Sequence, residues 1–504
     1  MKKIFFISLL IGLVPVACAT VNNLSEEEIK QLEVHTEEVQ DKVEGQTKED
    51  VLPADKNKKW IAPNYANQSN IPGYDATTFA IPEALKERVN FWIDIYTKYT
   101  TSQGIMHDSR FTHVVYEPID FAHLDNDKSL SSNQRFKAEK KYLDERKKHI
   151  KEILLKLHEL KDSAGLAGEE LRYWKMFENV NEKDKFLNAS QKGRLRFQLG
   201  QKDRFIQGIY YSGRYLKEME KIFAEYNMPK ELTRLPFVES SFNIKAKSKV
   251  GASGVWQFMR STGKLYMKVN ATIDERNDPI IAAHAAAKLL RQNYNVLESW
   301  PLAVTAYNYG AAGMKRIAEK AGTKDLAAIY GTNPTSRFGF ASESFYTSYL
   351  AALEVEKNAE KYFGTTLKWA DEVPYFEVKI QRPILFKELK GFHNNKDEDI
   401  INLNPHFSQT ITRNIVKIPA GTKVRVPIEQ EKAFAEYLAR PSPRSVVEKE
   451  PVGSGSMVSY KVAKGDTLYD ISKQFQISVD KIIQANQDIN PSALRPGQTI
   501  EIPQ

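Results

Sequence analysis

The stretch LPFVESSFN, Leu235 to Asn243, sets a lone carboxylate, Glu239, after an apolar run and before two serines and a phenylalanine. Two readings fit. Glu239 is the last exposed residue of an amphipathic helix, or it is a catalytic acid held in a partly apolar wall that keeps its proton on near neutral pH. Leu235, Phe237 and Val238 are the candidates for that wall. Downstream lies NIKAKSKVGASGVWQFMRSTG, in which Gly251 and Gly254 let a loop bend sharply and bring backbone close to a ligand. Trp256 and Phe258 offer rings suited to a sugar face, although rings at this spacing are more often core. AVTAYNYGAAGM places Tyr307 and Asn308 at a helix end before Gly310, and ASESFYTSYL puts Glu343 and Tyr346 on one helical face.

These pieces need a helical frame, and the sequence supplies one. From about 80 to 230 the periodicity is helical, with Leu143, Ile150, Ile153, Leu154 and Leu157 on one face and Lys and Arg on the other. Pro82, Pro229 and Pro279 each stand where a helix begins, and Asp278 suits the N-cap before Pro279. IIAAHAAAKLL reads as a close-packing helix whose His284 is a core or interhelical residue, since no ligand partner stands at i+4. No metal site and no cofactor are expected. The last third turns to short strands between turns. Residues 458–503 read strand, helix, helix, strand, with Thr467 as a helix cap and Pro496-Gly497 as a turn. Residues 375–428 repeat that end in degenerate form, Gly421 falling on Gly497 and Pro427 on Pro503, and a Pro, Ser and Gly linker at 437–457 separates the copies.

Taken together, the four pieces around Glu239 resemble the motifs of the lytic transglycosylases with a goose-lysozyme-like catalytic domain, the membrane-bound transglycosylase D-like family in particular. Glu239-Ser240 matches the first motif. Ala246, Ser248, Gly251, Ala252, Gly254, Trp256, Gln257, Phe258 and Met259 follow the second, with Val255 in place of its Leu and Arg260 in place of its Pro. Ala306 to Gly310 matches the third, and Glu343 to Tyr346 the fourth, with Ser344 for Thr. The final repeat resembles a LysM module. The resemblance covers roughly 190–504 and implies a mainly α protein: a lysozyme-like, goose-type helical catalytic domain at 190–370 with a groove across it, a helical extension at 80–190 before it, and small α+β (βααβ) LysM modules after it. It further implies cleavage of the bond between N-acetylmuramic acid and N-acetylglucosamine in peptidoglycan. Most glycosidases pair two carboxylates, but the nearest acid downstream of Glu239 is Asp274, in the helix-entry segment DERNDP. That suits substrate-assisted chemistry, in which the N-acetyl group supports the anomeric carbon. Glu239 would protonate the glycosidic oxygen and then accept the 6-hydroxyl proton as a 1,6-anhydro ring closes. Ser248 and Tyr307 would orient the sugar, and Ser240, Gln257, Asn308, Glu343 and Tyr346 would bind or brace. Gly465, Asp466, Thr467, Asn486 and Pro496 are the LysM positions implied to meet an N-acetylglucosamine-containing glycan. A muramidase of the same fold and a non-catalytic wall-binding scaffold are the alternatives.

The chain has 504 residues, enough for two to four domains, and a net charge of +8. That charge favours polyanionic surroundings, but no basic run interleaves with aromatics as nucleic-acid binding requires. Residues 1–19 read as an export signal: MKK, an apolar run too short to span a membrane, then small residues. The sole cysteine, Cys18, sits at the cleavage point. PVAC resembles a lipobox that would acylate Cys18 as a membrane anchor, with Pro15 departing from the usual Leu; the alternative is ordinary cleavage after Ala19. A charged, flexible tether at 20–60 comes next, and the expected location is periplasmic and membrane-associated.

Overall fold

The computed structural model describes residues 78–332, 338–440, 457–463, 466–486, 489 and 494–503. The export segment, Cys18, the 20–60 tether, Gly465 and residues 441–456 of the linker lie outside the described residues. The chain divides into two units. One runs to Tyr266 and resumes over Pro279–Asp371; the other joins Met267–Asp278 to the chain from Glu372 onward.

The first unit is helical around the Glu239 region. Helix α1 (Lys86–Thr97) buries Val89, Trp92, Ile95 and Tyr96, spaced at three and four residues. After it come strands β1 (Gln103–Asp108) and β2 (Val115–Asp120), then helix α2 (Ser132–His158), opened by a capping box between Ser131 and Gln134. The predicted apolar face of α2, Leu143, Ile150, Ile153, Leu154 and Leu157, is buried as a set. Helix α3 (Gly168–Met176) and strand β3 (Leu195–Leu199) complete this part.

The extension is therefore not wholly helical, contrary to the expectation for 80–190. β1 is the centre of a three-stranded antiparallel sheet, with β2 on one side and β3 on the other. Each strand is short and broken by charge, and the third partner arrives some ninety residues after the first, so the local pattern carries no strand signal. The sheet and α2 share a core of Met106, Val114, Tyr116, Leu154, Tyr173 and Phe177.

Helices α4 (Lys202–Ser212), α5 (Leu216–Glu225) and the six-residue α6 (Leu235–Ser240) lead to the site. Beyond it lie α7 (Pro279–Leu297), α8 (Trp300–Tyr309), α9 (Ala311–Ala321) and α10 (Leu326–Thr332). Proline opens α7, and Gly310, at φ 89°, ends α8. Helix α11 (Phe340–Lys357) is buried on every face from Phe345 to Leu353, as a central helix must be. Helix α1 packs along it, with Phe91 and Trp92 each 6.3 Å, ring to ring, from Phe340.

In the second unit, strands β4 (Tyr375–Lys379) and β5 (Lys423–Pro427) pair antiparallel around α12 (Asp397–Leu403), and α13 (Glu431–Ala439) comes after them. Their core includes Ile380, Phe386, Ile400, Val424 and Phe434, together with Ile273 from the distant Met267–Asp278 segment. Ile273 bridges Phe407, Asp274 N–H donates to the His406 carbonyl at 2.9 Å, and Ser408 N–H to that of Thr272 at 3.0 Å. Buried Asp278 takes the Arg425 guanidinium and the His406 ring, whose Nδ1 lies 3.1 Å away.

The final module runs β6 (Met457–Lys461), α14 (Leu468–Gln474), α15 (Val479–Ala485) and β7 (Thr499–Pro503), with β6 and β7 antiparallel, where the earlier one has a 3-10 helix, Phe386–Phe392, and α12 between its strands. One asparagine makes the same bonds in each module. The Asn404 amide donates to the carbonyls of Ile400 (3.0 Å) and Arg425 (2.9 Å), while its oxygen accepts from Arg425 N–H at 2.8 Å. The Asn486 amide donates to those of Ile482 (2.8 Å) and Glu501 (2.6 Å), and its oxygen accepts from Glu501 N–H at 2.7 Å. Each asparagine thus ties the end of a helix to the closing strand.

Candidate active site

Glu239 is the penultimate residue of α6, so the helix-terminus reading describes its backbone correctly. The turn beyond α6 has an uncommon backbone. Ser241 and Phe242 both lie in the left-handed region, at φ 50° and 54°, and neither is glycine. Each such residue costs on the order of 1–3 kcal/mol and persists only where its surroundings enforce it. The enforcement is visible. Ser241 N–H donates to the Phe237 carbonyl at 3.2 Å and Phe242 N–H to that of Pro236 at 3.1 Å. Phe242 is fully buried, 4.8 Å from the Phe237 ring, and Phe237 stacks at 4.8 Å on Phe205 of α4. Gly208 of α4 lets the helix approach this turn: a Cβ there would stand 2.9 Å from the Ser241 carbonyl oxygen.

The loop after α6 is tied to Glu239 by its neighbour. Ser240, 2% exposed, donates its hydroxyl to the Val255 carbonyl at 2.8 Å. That hydroxyl is engaged inside the protein, and the residue positions the loop. Ser248 Oγ accepts from Ala252 N–H at 2.7 Å and closes the turn through Gly251, at φ 92°. Gln257, left-handed at φ 47°, donates its amide to the carbonyls of Gly254 (2.7 Å) and Ala246 (3.3 Å). Trp256 and Phe258 are 0% and 2% exposed, so they are core residues and not sugar platforms. Trp256 stacks on Phe223 at 5.8 Å and donates its indole N–H to the Pro279 carbonyl at 3.2 Å.

Two phenols share the surroundings of Glu239. Tyr307 of α8 donates to the Trp256 carbonyl at 2.9 Å. Burial pushes its phenol well above the usual tyrosine range, and the Glu239 charge adds to this. Tyr96 of α1 is 2% exposed and is raised in the same way by burial, then by Glu239, against a hydrogen bond with Ser348 that lowers it. Its ring is 4.9 Å from Phe205, which joins it to the Phe237 stack beneath α6. Both phenols stay neutral at any physiological pH. Among the described residues, Glu239 is the one carboxylate whose charge bears on either. Asp274 is held by Arg276, 2.7 Å away.

A second group forms where α8 ends and α11 begins. Asn308 Oδ1 accepts from the Ser342 hydroxyl at 2.9 Å. Burial raises the Glu343 carboxyl, opposed by Arg88 of α1, 3.9 Å away, and by Arg110. Tyr346, 1% exposed, is buried one turn on. The structure thus gathers Ser240, Gln257 and Tyr307 on the carbonyls of one loop, with Glu239 next to Ser240 in the chain and its charge felt by Tyr307, and sets Asn308 beside the Ser342-Glu343 turn. Sequence reasoning missed Tyr96, Ser348 and Arg88. The signal for Tyr96 was the apolar face of NFWIDIYT, which reads as ordinary core. His284 is interhelical, its ring 5.7 Å from that of Tyr226.

In the final module Thr467 caps α14, its Oγ accepting from Asp470 N–H at 3.2 Å. Asp466 accepts from the Tyr460 hydroxyl and Ala463 N–H, both at 2.8 Å, and Pro496 is exposed. The Asn486 carboxamide is bonded within the module, so it shapes the fold and is not offered to a glycan.

Residues 218–329 match the transglycosylase SLT domain family, and residues 460–503 match the LysM domain family. The membrane-bound lytic murein transglycosylase D of Escherichia coli (strain K12) is 26% identical over 286 residues, which cover 55% of this chain and 60% of that protein. The secreted LysM effector ECP6 of Passalora fulva is 40% identical over 52 residues, 10% of this chain and 23% of that protein. The chain therefore spans somewhat less than two thirds of the length of the transglycosylase D and under a quarter of the effector.

Proposed function

We propose that this chain, which carries an SLT domain and a LysM domain, is a peptidoglycan lytic transglycosylase with Glu239 as its acid and base. The observation that carries the reading is the single carboxylate on a locked turn, with two neutral buried phenols sharing its surroundings. One carboxyl serves both steps. As the acid, Glu239 gives its proton to the oxygen between N-acetylmuramic acid and N-acetylglucosamine, and that bond breaks with the electron pair leaving on oxygen. As the carboxylate, it takes the proton of the muramyl 6-hydroxyl while that oxygen bonds the anomeric carbon. No water is consumed and the enzyme returns to its starting state. Among the described residues no other carboxylate acts on Tyr96 or Tyr307, so support for the anomeric carbon falls to the sugar's own N-acetyl group. Ser248 and Tyr307 stand in the loop and helix that would orient the sugar, and Glu343 with Asn308 would brace it.

The LysM module would hold the glycan near this site and raise its local concentration. We assign residues 375–428 as a degenerate second copy, supported by the shared bonding of Asn404 and Asn486. The chain would act in the periplasm, with Cys18 as a lipid anchor. Among the described residues, no helix is long and apolar enough to cross a membrane.

The test is mass spectrometry of soluble products after the purified chain is incubated with bacterial sacculi. Anhydro-ended muropeptides, one water lighter than hydrolysed ones and absent with Glu239→Gln, are expected. Reducing ends would make the protein a muramidase. Undiminished anhydro product from folded Glu239→Gln would remove Glu239 from the mechanism.

A further inference from the structure

We propose that the first unit carries a second glycan-binding surface, built from Tyr210, Tyr211, Trp369 and Arg214, that takes peptide-bearing N-acetylhexosamine strands. The inference rests on the peptidoglycan reading above and adds to it a subsite outside the catalytic loop. Tyr210, Tyr211 and Trp369 are 44%, 39% and 45% exposed, although each is large and aromatic. They are gathered in one place. Ala370 N–H donates to the Tyr210 carbonyl at 2.8 Å, which lays the Trp369 segment against the end of α4. A Cβ on Gly213 would meet Trp369 Cβ at 2.7 Å and the Ala370 carbonyl oxygen at 2.6 Å, so the approach requires glycine there. The Tyr210 and Tyr211 rings meet edge to face at 5.4 Å. The backbone that carries the rings is therefore held in place before any ligand arrives, which lowers the entropy cost of binding.

The chemistry of the surface selects its occupant. Exposed aromatic faces grouped in this way mark interaction sites, and a ring with an apolar face and a polar tip suits a pyranose, which presents C–H bonds on its face and hydroxyls at its edge. Arg214 comes one turn after Tyr211, its N–H bonded to the Tyr211 carbonyl at 3.2 Å. Its buried Nε has no hydrogen-bond partner, and the guanidinium makes no ion pair among the described residues. A guanidinium with no ion pair, three residues after the paired rings, fits a glycan whose stem peptides carry carboxylates, as peptidoglycan does. The surface also continues from the catalytic region along one helix. Gly208 of α4 touches the turn that comes after Glu239, and Tyr211 stands about 5 Å further along the axis.

The experiment uses the full chain with Glu239→Gln, which holds substrate without consuming it. Sedimentation with purified sacculi, and with sacculi whose carboxylates are capped as neutral amides by carbodiimide coupling to glycinamide, gives an apparent Kd for each. LysM is present in every variant, so ratios between variants report on the surface. Trp369→Ala with Tyr211→Ala should raise Kd about tenfold on both materials. Arg214→Gln should raise it about fivefold on sacculi with free carboxylates alone. An unchanged Kd in the double variant, or an equal effect of Arg214→Gln on both materials, overturns the proposal. Circular dichroism checks folding, and if the double variant unfolds, the Arg214→Gln comparison decides, because Arg214 holds no ion pair among the described residues and glutamine keeps most of its stem. Product analysis of the Glu239-intact chain runs alongside. Absence of anhydro ends with the binding losses intact would sink the transglycosylase reading alone, whereas normal products with unchanged Kd would sink the second surface alone.

Discussion

Gly208→Ala tests whether the turn after Glu239 is held as tightly as its geometry implies. In a helix interior this substitution ordinarily stabilises by about 0.8–1 kcal/mol, because alanine loses less backbone entropy. Here the new Cβ would lie 2.9 Å from the Ser241 carbonyl oxygen, 3.2 Å from its carbon and 3.3 Å from Phe237 Cδ1. Two of these atoms are backbone, so the helix or the turn must move by a few tenths of an ångström. Such overpacking costs typically 1–3 kcal/mol. The two terms nearly offset, and the net loss should be about 0–2 kcal/mol, a few degrees in Tm. Activity should respond differently. Ser241 is two residues from Glu239 on a backbone with no slack, and a misplacement approaching 1 Å can lower a rate about 100-fold. Initial rates on sacculi, read beside thermal unfolding, should therefore show at least a tenfold fall in turnover with most of the stability kept. A variant that is more stable and fully active would refute the reasoning, since it would behave as glycine to alanine does in any unconstrained helix.

Other expectations arise from the same structure. His107 is buried between Phe91 and Phe340, 4.5 and 5.2 Å away, and burial lowers its pKa to about 3. The unfolded chain, with an ordinary histidine, binds the extra proton below about 6.5, so stability should be lost as pH falls from 6.5 toward 3, by at most about 1.4 kcal/mol per pH unit; His107→Phe should flatten that part of the stability profile, and an unchanged slope would count against the assignment. Ile273→Ala should destabilise the second unit by about 2–5 kcal/mol, although it lies over a hundred residues from β4, and hydrogen exchange in β4 and β5 would show it. Asn486→Ala should cost the LysM module about 1–3 kcal/mol through unpaired backbone groups on Glu501, with Asn404→Ala acting alike on the earlier module; chemical denaturation of each compares them.

What the sequence made legible was local. The buried face of α2 was readable because its period is helical, and the Thr467 cap because Thr-x-x-Asp announces it. The paired strands that close each of the last two modules were readable from glycine and proline positions, though the role of the asparagines was not, since a carboxamide looks the same whether it meets strand or sugar. Trp256 and Phe258 stayed open between sugar face and core for a related reason, and they are core. Ring spacing in a loop says nothing of direction, and this loop folds back onto Phe223 and Tyr307. Tyr96 and Ile273 were out of reach because their partners lie far away in the chain. Tyr96 stands more than a hundred residues before the carboxylate whose surroundings it shares, and Ile273 enters the core of a module that starts a hundred residues later.

The Met267–Asp278 segment, with Ile273 in the second unit's core, bears on how such a gene can change. The final module draws its core from residues 462 to 502 alone, so a stop codon in the linker could remove it and leave the remainder intact. The module before it offers no such cut. Truncation after Asp371 would strand Ile273 without Phe407 beside it, and transplanting the module by recombination would leave part of its interior behind in the donor. A LysM module that can be shuffled freely and a module inherited only together with the Met267–Asp278 segment thus lie side by side in one reading frame.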